Sequence, residues 1–589
     1  MSGIYGMVRL DGAPVTREML EPQAAAMAGW GPDGHGQWRR ENTGLGFLSL
    51  HTTPESLHER MPASLRVAPH LFITADARID NRDELFHALD VPSAGRTRTS
   101  DSSLILLAYE RWGADCVNRL LGDFAFAIWD ARERLLFCAR DPLGCRPLYY
   151  HPGVRSFLFA SDIRGILAAM QSPRLNEPLL AAHLQMRVYY ARKTQTFYGN
   201  VLKLPAGHTL LLAGDALRLN QYWSPENVPQ RPPAREGELR DLFRQAVECR
   251  VRSAFPVAAH LSGGIDSSAV TLQAARLLHP QGRQLATFSW SPPPGNGEGG
   301  GNEYARIHAI CRQESLKCEY IPVTAASLLR VMERDFTVEP IELIPREENV
   351  QRRAEALGVR VILSGWGGDE AITHWWQRNQ GRGLRDWFLS RLPDNVYSRV
   401  HRNPFMKYAS PCICIHPEFA ARHAKELRKI QGPPFRRMRD SRTTILRQLD
   451  LGYLPRRMED WAVSGAQRRI VYSYPLLDRR LMEFALGTHS GTPQRRLFIA
   501  SMADLLPREI DWTADEGEPA TLAALEKEHV AAHVEWLAQR RALRQIAQSF
   551  VEPGRIRHSI EAAQRAGSLR FLQGVKEAIG CYAIQGLKE

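Results

Sequence analysis

The chain has 589 residues, 44% of them hydrophobic and 24% charged, with a formal net charge of +12. That length exceeds one ordinary core and predicts two large domains with room for a third, in a composition typical of soluble globular proteins. No apolar run reaches bilayer-spanning length, so no membrane association is expected, and Met1-Ser2-Gly3-Ile4-Tyr5-Gly6 lacks the basic-then-apolar pattern of a secretory signal.

Residues 1–215 alternate short strand-like runs with turn signals: Gly44 to Leu50, Leu71 to Ala75, Phe124 to Trp129, Leu135 to Ala139, Ser156 to Ala160 and His208 to Leu212. Helical periodicity is clearest from Ser102 to Trp112. The mixture predicts an antiparallel sandwich with some helices, an α+β arrangement. A proline-rich stretch from Pro225 to Pro233 marks a linker, taken as residues 216–235.

From residue 236 the rhythm becomes helix, strand, helix, strand. Glu236 to Ser253 reads as a helix, Val257 to Leu261 as a buried strand, Ser267 to Leu278 as a helix and Gln284 to Trp290 as a strand. Tyr304 to Glu314 is a further helix, and Val359 to Ser364 is a strand ending in glycines. Residues 236–520 are therefore expected to form a parallel α/β sheet with its ligand site beyond the carboxyl ends of the strands. Pro292 to Gly301 is a glycine-proline loop, and 521–589 is expected to be a C-terminal helical extension.

A basic insert runs from Arg378 to Arg442. It reads as a solvated surface, or as a face for an acidic partner or a phosphate-bearing substrate. No nucleic-acid-binding motif accompanies it, so no nucleic acid partner is expected. The nine cysteines form no CxxC pair, and Cys412-Ile413-Cys414 is spaced too tightly for a zinc knuckle, so a cytoplasmic location is expected.

The segment richest in chemistry is Leu261-Ser262-Gly263-Gly264-Ile265-Asp266-Ser267-Ser268, between a predicted strand and a predicted helix. Glycines let the backbone approach a phosphate, serines donate hydroxyls, and the helix start offers unpaired amides and a positive dipole to an anion. Asp266 sits where it can hold magnesium against phosphate oxygens. A second segment, Leu363-Ser364-Gly365-Trp366-Gly367-Gly368-Asp369-Glu370, repeats the pattern, with Asp369 as the matching carboxylate. Two carboxylates at two strand ends of one sheet can share a magnesium ion bound to a polyphosphate.

The first segment resembles the SGGxDS loop of ATP pyrophosphatases, which cleave ATP between the α and β phosphates. With Asn302-Glu303-Tyr304-Ala305-Arg306 and Tyr474-Pro475-Leu476-Leu477-Asp478, the chain resembles the asparagine synthetase superfamily as far as about residue 510. The resemblance implies an adenine nucleotide α hydrolase-like carboxyl-terminal domain, ATP and Mg2+ as cofactors, and nucleotide contacts from Leu261, Trp290, Ser364 and Gly365. Asp266 and Asp369 are the expected catalytic and metal residues. Ser262, Gly263, Gly264, Ser267, Ser268 and Trp366 complete the expected ATP-binding set.

The amino-terminal half resembles a class II, Ntn-type glutaminase through Gly31-Pro32-Asp33-Gly34, Gly122-Asp123-Phe124-Ala125-Phe126-Ala127 and Ala139-Arg140-Asp141-Pro142-Leu143-Gly144. Its reactive residues depart from that family. The nucleophilic cysteine's position holds Ser2, and the family's Asn-Gly-Glu falls on Asp76-Ala77-Arg78, whose aspartate would repel a developing oxyanion. Phe47-Leu48-Ser49 lacks the expected arginine, while Asp101 is retained. The domain is expected to be structural and degenerate.

In the second motif, the third position is glutamate in asparagine synthetase and tyrosine in β-lactam synthetase, whereas here it is Trp366, which offers no usable base. The family's late lysine is missing as well, because no lysine lies between Lys429 and Lys527, leaving Arg495 or Arg496 as candidate phosphate clamps. An adenylating loop without an ammonia source implies that the amine arrives with the substrate. The pattern is most similar to lasso peptide cyclases, which join a core peptide's α-amine to an Asp or Glu side chain. That resemblance implies a precursor peptide substrate, with a leader peptidase and a leader-recognition protein as partners. β-Lactam synthetase-like cyclisation, asparagine synthetase-like amidation with external ammonia, and a silent peptide-binding scaffold are the alternatives.

Overall fold

In the computed structural model the described residues are 1–184, 194–232, 236–291, 302–332, 344–373, 414–425, 441–450, 452–488, 494–513, 521–539 and 549–566, with 572 and 575. Most of the basic insert, including Arg378, lies outside the described residues, as does the expected loop from Pro292 to Gly301.

The amino-terminal half contains two six-stranded sheets. One is built around Gly3–Arg9, which pairs antiparallel with Thr43–Ser49 on one side and Ser156–Ala160 on the other. In the other, Ala68–Ile79 pairs with Gly122–Asp130, which pairs with Leu135–Arg140. Alternating inward residues explain why the sheets stack: Ile4, Val8 and Phe47 of the first meet Ile73, Phe126 and Phe137 of the second in one buried cluster. The opposite face of the first sheet buries Tyr5 and Met7 against Leu20 and Ile166 on helices Arg17–Ala26 and Ile163–Ala169. The expected helix is observed as Asp101–Trp112, where Ser100 accepts a hydrogen bond from the Ser103 amide at its start and Gly113 ends it at φ +58°.

The expected linker needs correction at its start. Ala216–Gln221 is an edge strand, antiparallel to His208–Ala213. Its mostly exposed side chains leave it without the hydrophobic alternation that would have marked it in the sequence.

The carboxyl-terminal half is a five-stranded, all-parallel sheet in the spatial order Cys318–Tyr320, Leu285–Ser289, Val257–His260, Val361–Leu363, Val471–Ser473. The central strand is fully buried, as a sheet covered on both faces requires. Helices Glu236–Val251, Ile265–Leu278 and Tyr453–Ala466 contribute Phe243, Val270 and Met458 to its core. The mixed architecture, antiparallel sheets followed by a parallel α/β sheet, is the one the sequence predicts.

The two halves are joined through buried charge. Arg140 Nη2 and Lys203 Nζ bind the two oxygens of Glu459 at 2.8 and 2.9 Å, all three side chains being buried. Arg250 reaches Asp478 at 2.8 Å and Asp80 at 3.2 Å, and Arg360 forms a forked pair with Asp33. The helices Thr521–Gln539 and Pro553–Ala566 share a buried cluster with the amino-terminal half, Trp536 and Ile560 packing together with Met7 and Ile166. No described helix is long and apolar enough to cross a membrane.

Candidate functional site

Three neighbouring parallel strands deliver the predicted nucleotide residues to one edge of the sheet. Val257–His260 leads into Leu261 and the glycine-serine turn, Val361–Leu363 leads into Ser364, Gly365 and Trp366, and Leu285–Ser289 leads into Trp290. The structure therefore brings together every residue of the expected ATP-binding set, at the strand ends where α/β sheets hold ligands.

The first turn is shaped by its own hydroxyls. Ser262 and Ser267 share a hydrogen bond of 2.9 Å between their Oγ atoms, the Ser262 amide donates to Ser267 Oγ at 3.2 Å, and Ser267 Oγ donates to the Gly264 carbonyl at 3.2 Å. Gly263 occupies φ +76°, and a Cβ there would lie 2.8 Å from the Glu303 carbonyl oxygen, so the turn needs glycine on both counts. Glu303, in the predicted Asn302–Arg306 segment, thus walls the turn, and its carboxylate accepts a hydrogen bond from Ser291 Oγ. Helix Ile265–Leu278 starts directly after the turn and places Ser268 Oγ in a buried position without a hydrogen-bond partner among the described residues. Trp290 Nε1 is likewise buried and unpartnered among them. Unused donors beside a helix start fit a ligand rich in acceptor oxygens.

Asp266 is held by Thr373, whose Oγ1 donates to Asp266 Oδ2 at 3.0 Å. Thr373 closes the wide helical turn Gly368–Ile372 of the second motif, so this bond ties the two motifs together. Gly368 makes the approach feasible, since a Cβ on it would lie 2.2 Å from Asp266 Cγ. Asp369 on the same turn is exposed, and Glu370 is half-buried and accepts from the Gly367 amide at 3.1 Å. Burial pushes the Glu370 carboxyl above its ordinary range, opposed by the positive charge of Arg457. No group of three metal-ligating side chains occurs among the described residues. Two aspartates without a protein cage suit magnesium, which keeps its waters and takes further oxygens from substrate phosphates.

Beneath the turn lies a buried polar floor. Tyr472 donates to Glu347 Oε2 at 2.6 Å, Gln351 Nε2 donates to the Tyr472 hydroxyl at 2.9 Å, and His260 Nε2 is 3.2 Å from Glu347 Oε2. Burial and the neighbouring Glu347 hold the Tyr472 hydroxyl well above its ordinary pKa. Trp290 packs on His260 with ring centroids 4.9 Å apart. Trp366 meets Tyr474 edge-on at 5.6 Å, and the Arg457 guanidinium lies 4.5 Å from the Trp366 ring centre.

The sequence signalled neither Thr373 nor Arg457, nor the Glu347–Tyr472 floor. Thr373 lies just beyond a recognisable motif, where a hydroxyl three residues past Glu370 was the available clue. Arg457 follows Arg456 in a helix whose sequence offered none. Of the suggested phosphate clamps, Arg495 is buried and donates to the Trp512 carbonyl at 3.3 Å, while Arg496 is exposed.

In the amino-terminal half, Ser2 Oγ accepts from the Leu50 amide at 3.0 Å and lies 3.4 Å from the Leu50 carbonyl, and the Ser2 amide donates to Asp76 Oδ1 at 3.1 Å. The structure thus places Asp76 beside Ser2. Asp101 is engaged elsewhere: it accepts from the Ile79 amide at 3.1 Å, from Arg82, and from Arg252 at 3.3 Å. The bond from Arg252 links Asp101 to the carboxyl-terminal half, while those from Ile79 and Arg82 stay within its own half. Burial raises its pKa to about 6, against the pull of Arg82.

Comparison with known proteins places these sites in context. Residues 1–223 match the glutamine amidotransferase domain model and residues 238–574 the asparagine synthase model, the latter reaching well beyond residue 510. A putative asparagine synthetase [glutamine-hydrolyzing] 2 of Methanocaldococcus jannaschii is 30% identical over 289 residues, which cover 46% of this chain and 56% of that protein. Asparagine synthetase [glutamine-hydrolyzing] 3 of Bacillus subtilis is 30% identical over 294 residues, 49% of this chain and 48% of its own. Amidase chyE of Penicillium rubens is 28% identical over 363 residues, 58% of this chain and 52% of its own. The matched stretch spans about half the length of these curated relatives.

Proposed function

The chain belongs to the asparagine synthase family, and from that premise we propose that it is an ATP-dependent ligase that adenylates a carboxylate and joins it to an amine carried by the same substrate. The substrate we propose is a ribosomal precursor peptide. An Asp or Glu side chain of the peptide is activated, and its α-amine displaces AMP to close a macrolactam, with pyrophosphate released in the first step. The observation that carries this reading is the contrast between a fully assembled glycine-serine turn and the residues at the amidotransferase position. Ser2 replaces the thiol nucleophile and Asp76 lies within hydrogen-bond reach of it. Cys116, Cys138 and Cys145 of that half are buried, and burial pushes their thiols up, Cys116 to about 12, so none supplies a thiolate at neutral pH.

In this reading the amides and hydroxyls of Ser262–Ser268 would take the triphosphate, and Asp266 and Asp369 would hold magnesium, whose contribution when bound would be to neutralise charge on pyrophosphate. Trp290 and Leu261 flank the nucleotide. Trp366 cannot accept the amine's proton, so that proton leaves through another group or water. The remaining requirement is proximity: a pocket that holds amine and activated carboxyl together makes ring closure effectively unimolecular. A leader peptidase and a leader-recognition protein would deliver the peptide.

The test incubates the protein with ATP, magnesium and a leader-free core peptide, and seeks by mass spectrometry the loss of one water with equimolar AMP and pyrophosphate. The relatives' names favour a second reading, amidation of a small acid. Incorporation of labelled ammonia or of glutamine nitrogen would establish that reading instead, and cyclisation of a β-amino acid alone would establish a β-lactam-forming one.

A further inference from the structure

We propose that Arg457 is a substrate-binding residue that receives a carboxylate of the acyl substrate at the wall formed by Trp366. The proposal rests on the reading of the site as adenylating and names the group that positions the acid.

The residue stands on helix Tyr453–Ala466, facing the second motif. Its guanidinium lies 4.5 Å from the Trp366 ring centre and 5.8 Å from that of Trp461, so two indoles hold its plane. Nη1 donates to the Tyr453 hydroxyl at 2.9 Å. That bond occupies one end of the fork. Nε is buried and has no hydrogen-bond partner among the described residues, and no described carboxylate lies within ion-pair distance of the guanidinium. Two arginines buried between the halves are by contrast neutralised, Arg140 by Glu459, and Arg250 by Asp478 and Asp80. Glu370, whose carboxyl feels the Arg457 charge, forms no ion pair with it and accepts instead from the Gly367 amide.

Arg457 is half-buried, and its buried, idle Nε is a donor left incomplete unless a ligand supplies an acceptor. The edge formed by Nε and Nη2 presents two parallel N–H groups, the geometry that accepts a carboxylate through both oxygens. Phosphate can use the same edge. The turn at Ser262–Ser268 already offers its own donors at a helix start, on the first motif, so the carboxylate is the anion left for Arg457. Clamping the acid in the plane beside Trp366 would orient it toward the nucleotide and explain how the site operates without the missing lysine.

The experiment measures binding by calorimetry on the full chain, with α,β-methylene-ATP and magnesium present, using glutarate and inorganic pyrophosphate as probes. For Arg457→Gln the expected result is a loss of glutarate affinity of at least tenfold, with α,β-methylene-ATP affinity unchanged within twofold. Arg457→Lys, which keeps the charge and loses the fork, should fall between. Where a turnover substrate is in hand, KM for the acid should rise more than kcat falls. Equal glutarate binding by wild type and Arg457→Gln, no saturable glutarate binding by wild type, or weakening confined to pyrophosphate would each overturn the proposal. Failure of wild type to bind α,β-methylene-ATP would instead overturn the adenylating reading. Matching melting temperatures for the two variants separate lost binding from lost folding.

Discussion

The turn at Ser262–Ser268 and the surroundings of Ser2 occupy equivalent ranks in their halves, each being the point where the fold presents its chemistry, yet they differ in how their polar groups are engaged. In the carboxyl-terminal turn the hydroxyls of Ser262 and Ser267 brace the backbone while Ser268 Oγ and Trp290 Nε1 remain without partners. At Ser2 the hydroxyl is engaged with the Leu50 backbone, and a carboxylate takes the adjacent amide. Donors left unpartnered keep hydrogen-bonding capacity in reserve, whereas groups bonded to neighbouring backbone spend that capacity on the fold.

The comparison breaks most sharply at the two aspartates. Asp266→Ala and Asp369→Ala are each expected to lower ATP-dependent pyrophosphate release by at least about a thousandfold, ~4 kcal/mol of transition-state stabilisation, with the fold retained and a stability loss of only about 1 kcal/mol in Asp266→Ala from the missing Thr373 bond. A pyrophosphate assay beside thermal melts checks this, and wild-type turnover in either variant would remove that residue from the site. Gly368→Ala should mimic them, because its new methyl group would strike the Asp266 carboxylate.

Next in size is Glu459→Ala, which strands Arg140 and Lys203 in the interior and should cost about 3–5 kcal/mol. Chemical denaturation of the variant tests this, and a loss below about 1 kcal/mol would mean that water reaches the cluster.

Asp33 is a smaller case with a pH signature. Burial acts to raise its pKa, but the hydrogen bond from Arg360 prevails and holds the carboxyl below its ordinary 3.8. A depressed folded-state pKa gives stability that is present above pH 3.8 and is lost as pH falls through the folded value. Asp33→Asn should therefore be less stable by about 1–3 kcal/mol at pH 7, with the gap closing under acid. Stability curves of both proteins from pH 7 to pH 2 check the sign, since a gap that widens under acid contradicts it.

The smallest expected effect sharpens the other side of the comparison. Ser2→Ala should leave synthetase turnover unchanged and cost about 1 kcal/mol through the unsatisfied Leu50 amide. Glutamate formation from glutamine that disappears in this variant would show that the amino-terminal half still works.

Much of the architecture was legible because its signals are local. A glycine-serine turn between a buried strand and a helix announces itself within eight residues, and the strand from Phe124 to Trp129 reads directly from its apolar composition. What escaped was long-range. Glu459 meets Arg140 across 319 positions, and no pattern distinguishes Arg457, stacked on Trp366, from the adjacent Arg456. Strands of three residues, such as Val471–Ser473, gave too short a period to recognise, although that one completes the parallel sheet. The partners of Asp101 were equally hidden, Arg82 lying 19 positions away and Arg252 lying 151.

The helix Tyr453–Ala466 carries three loads at once. Arg457 faces the second motif, Glu459 anchors two cations of the amino-terminal half, and Ser464 accepts a hydrogen bond from Gln351 in the floor under the nucleotide turn. Because Glu459 lies two positions after Arg457 on one helix, an error in how the halves dock is passed to the strand-end edge with little attenuation. Whatever chemistry the amino-terminal half performs, it serves as a jig for the other. Deleting it would strand Glu459 as a buried charge without counterions, on the same helix that carries Arg457.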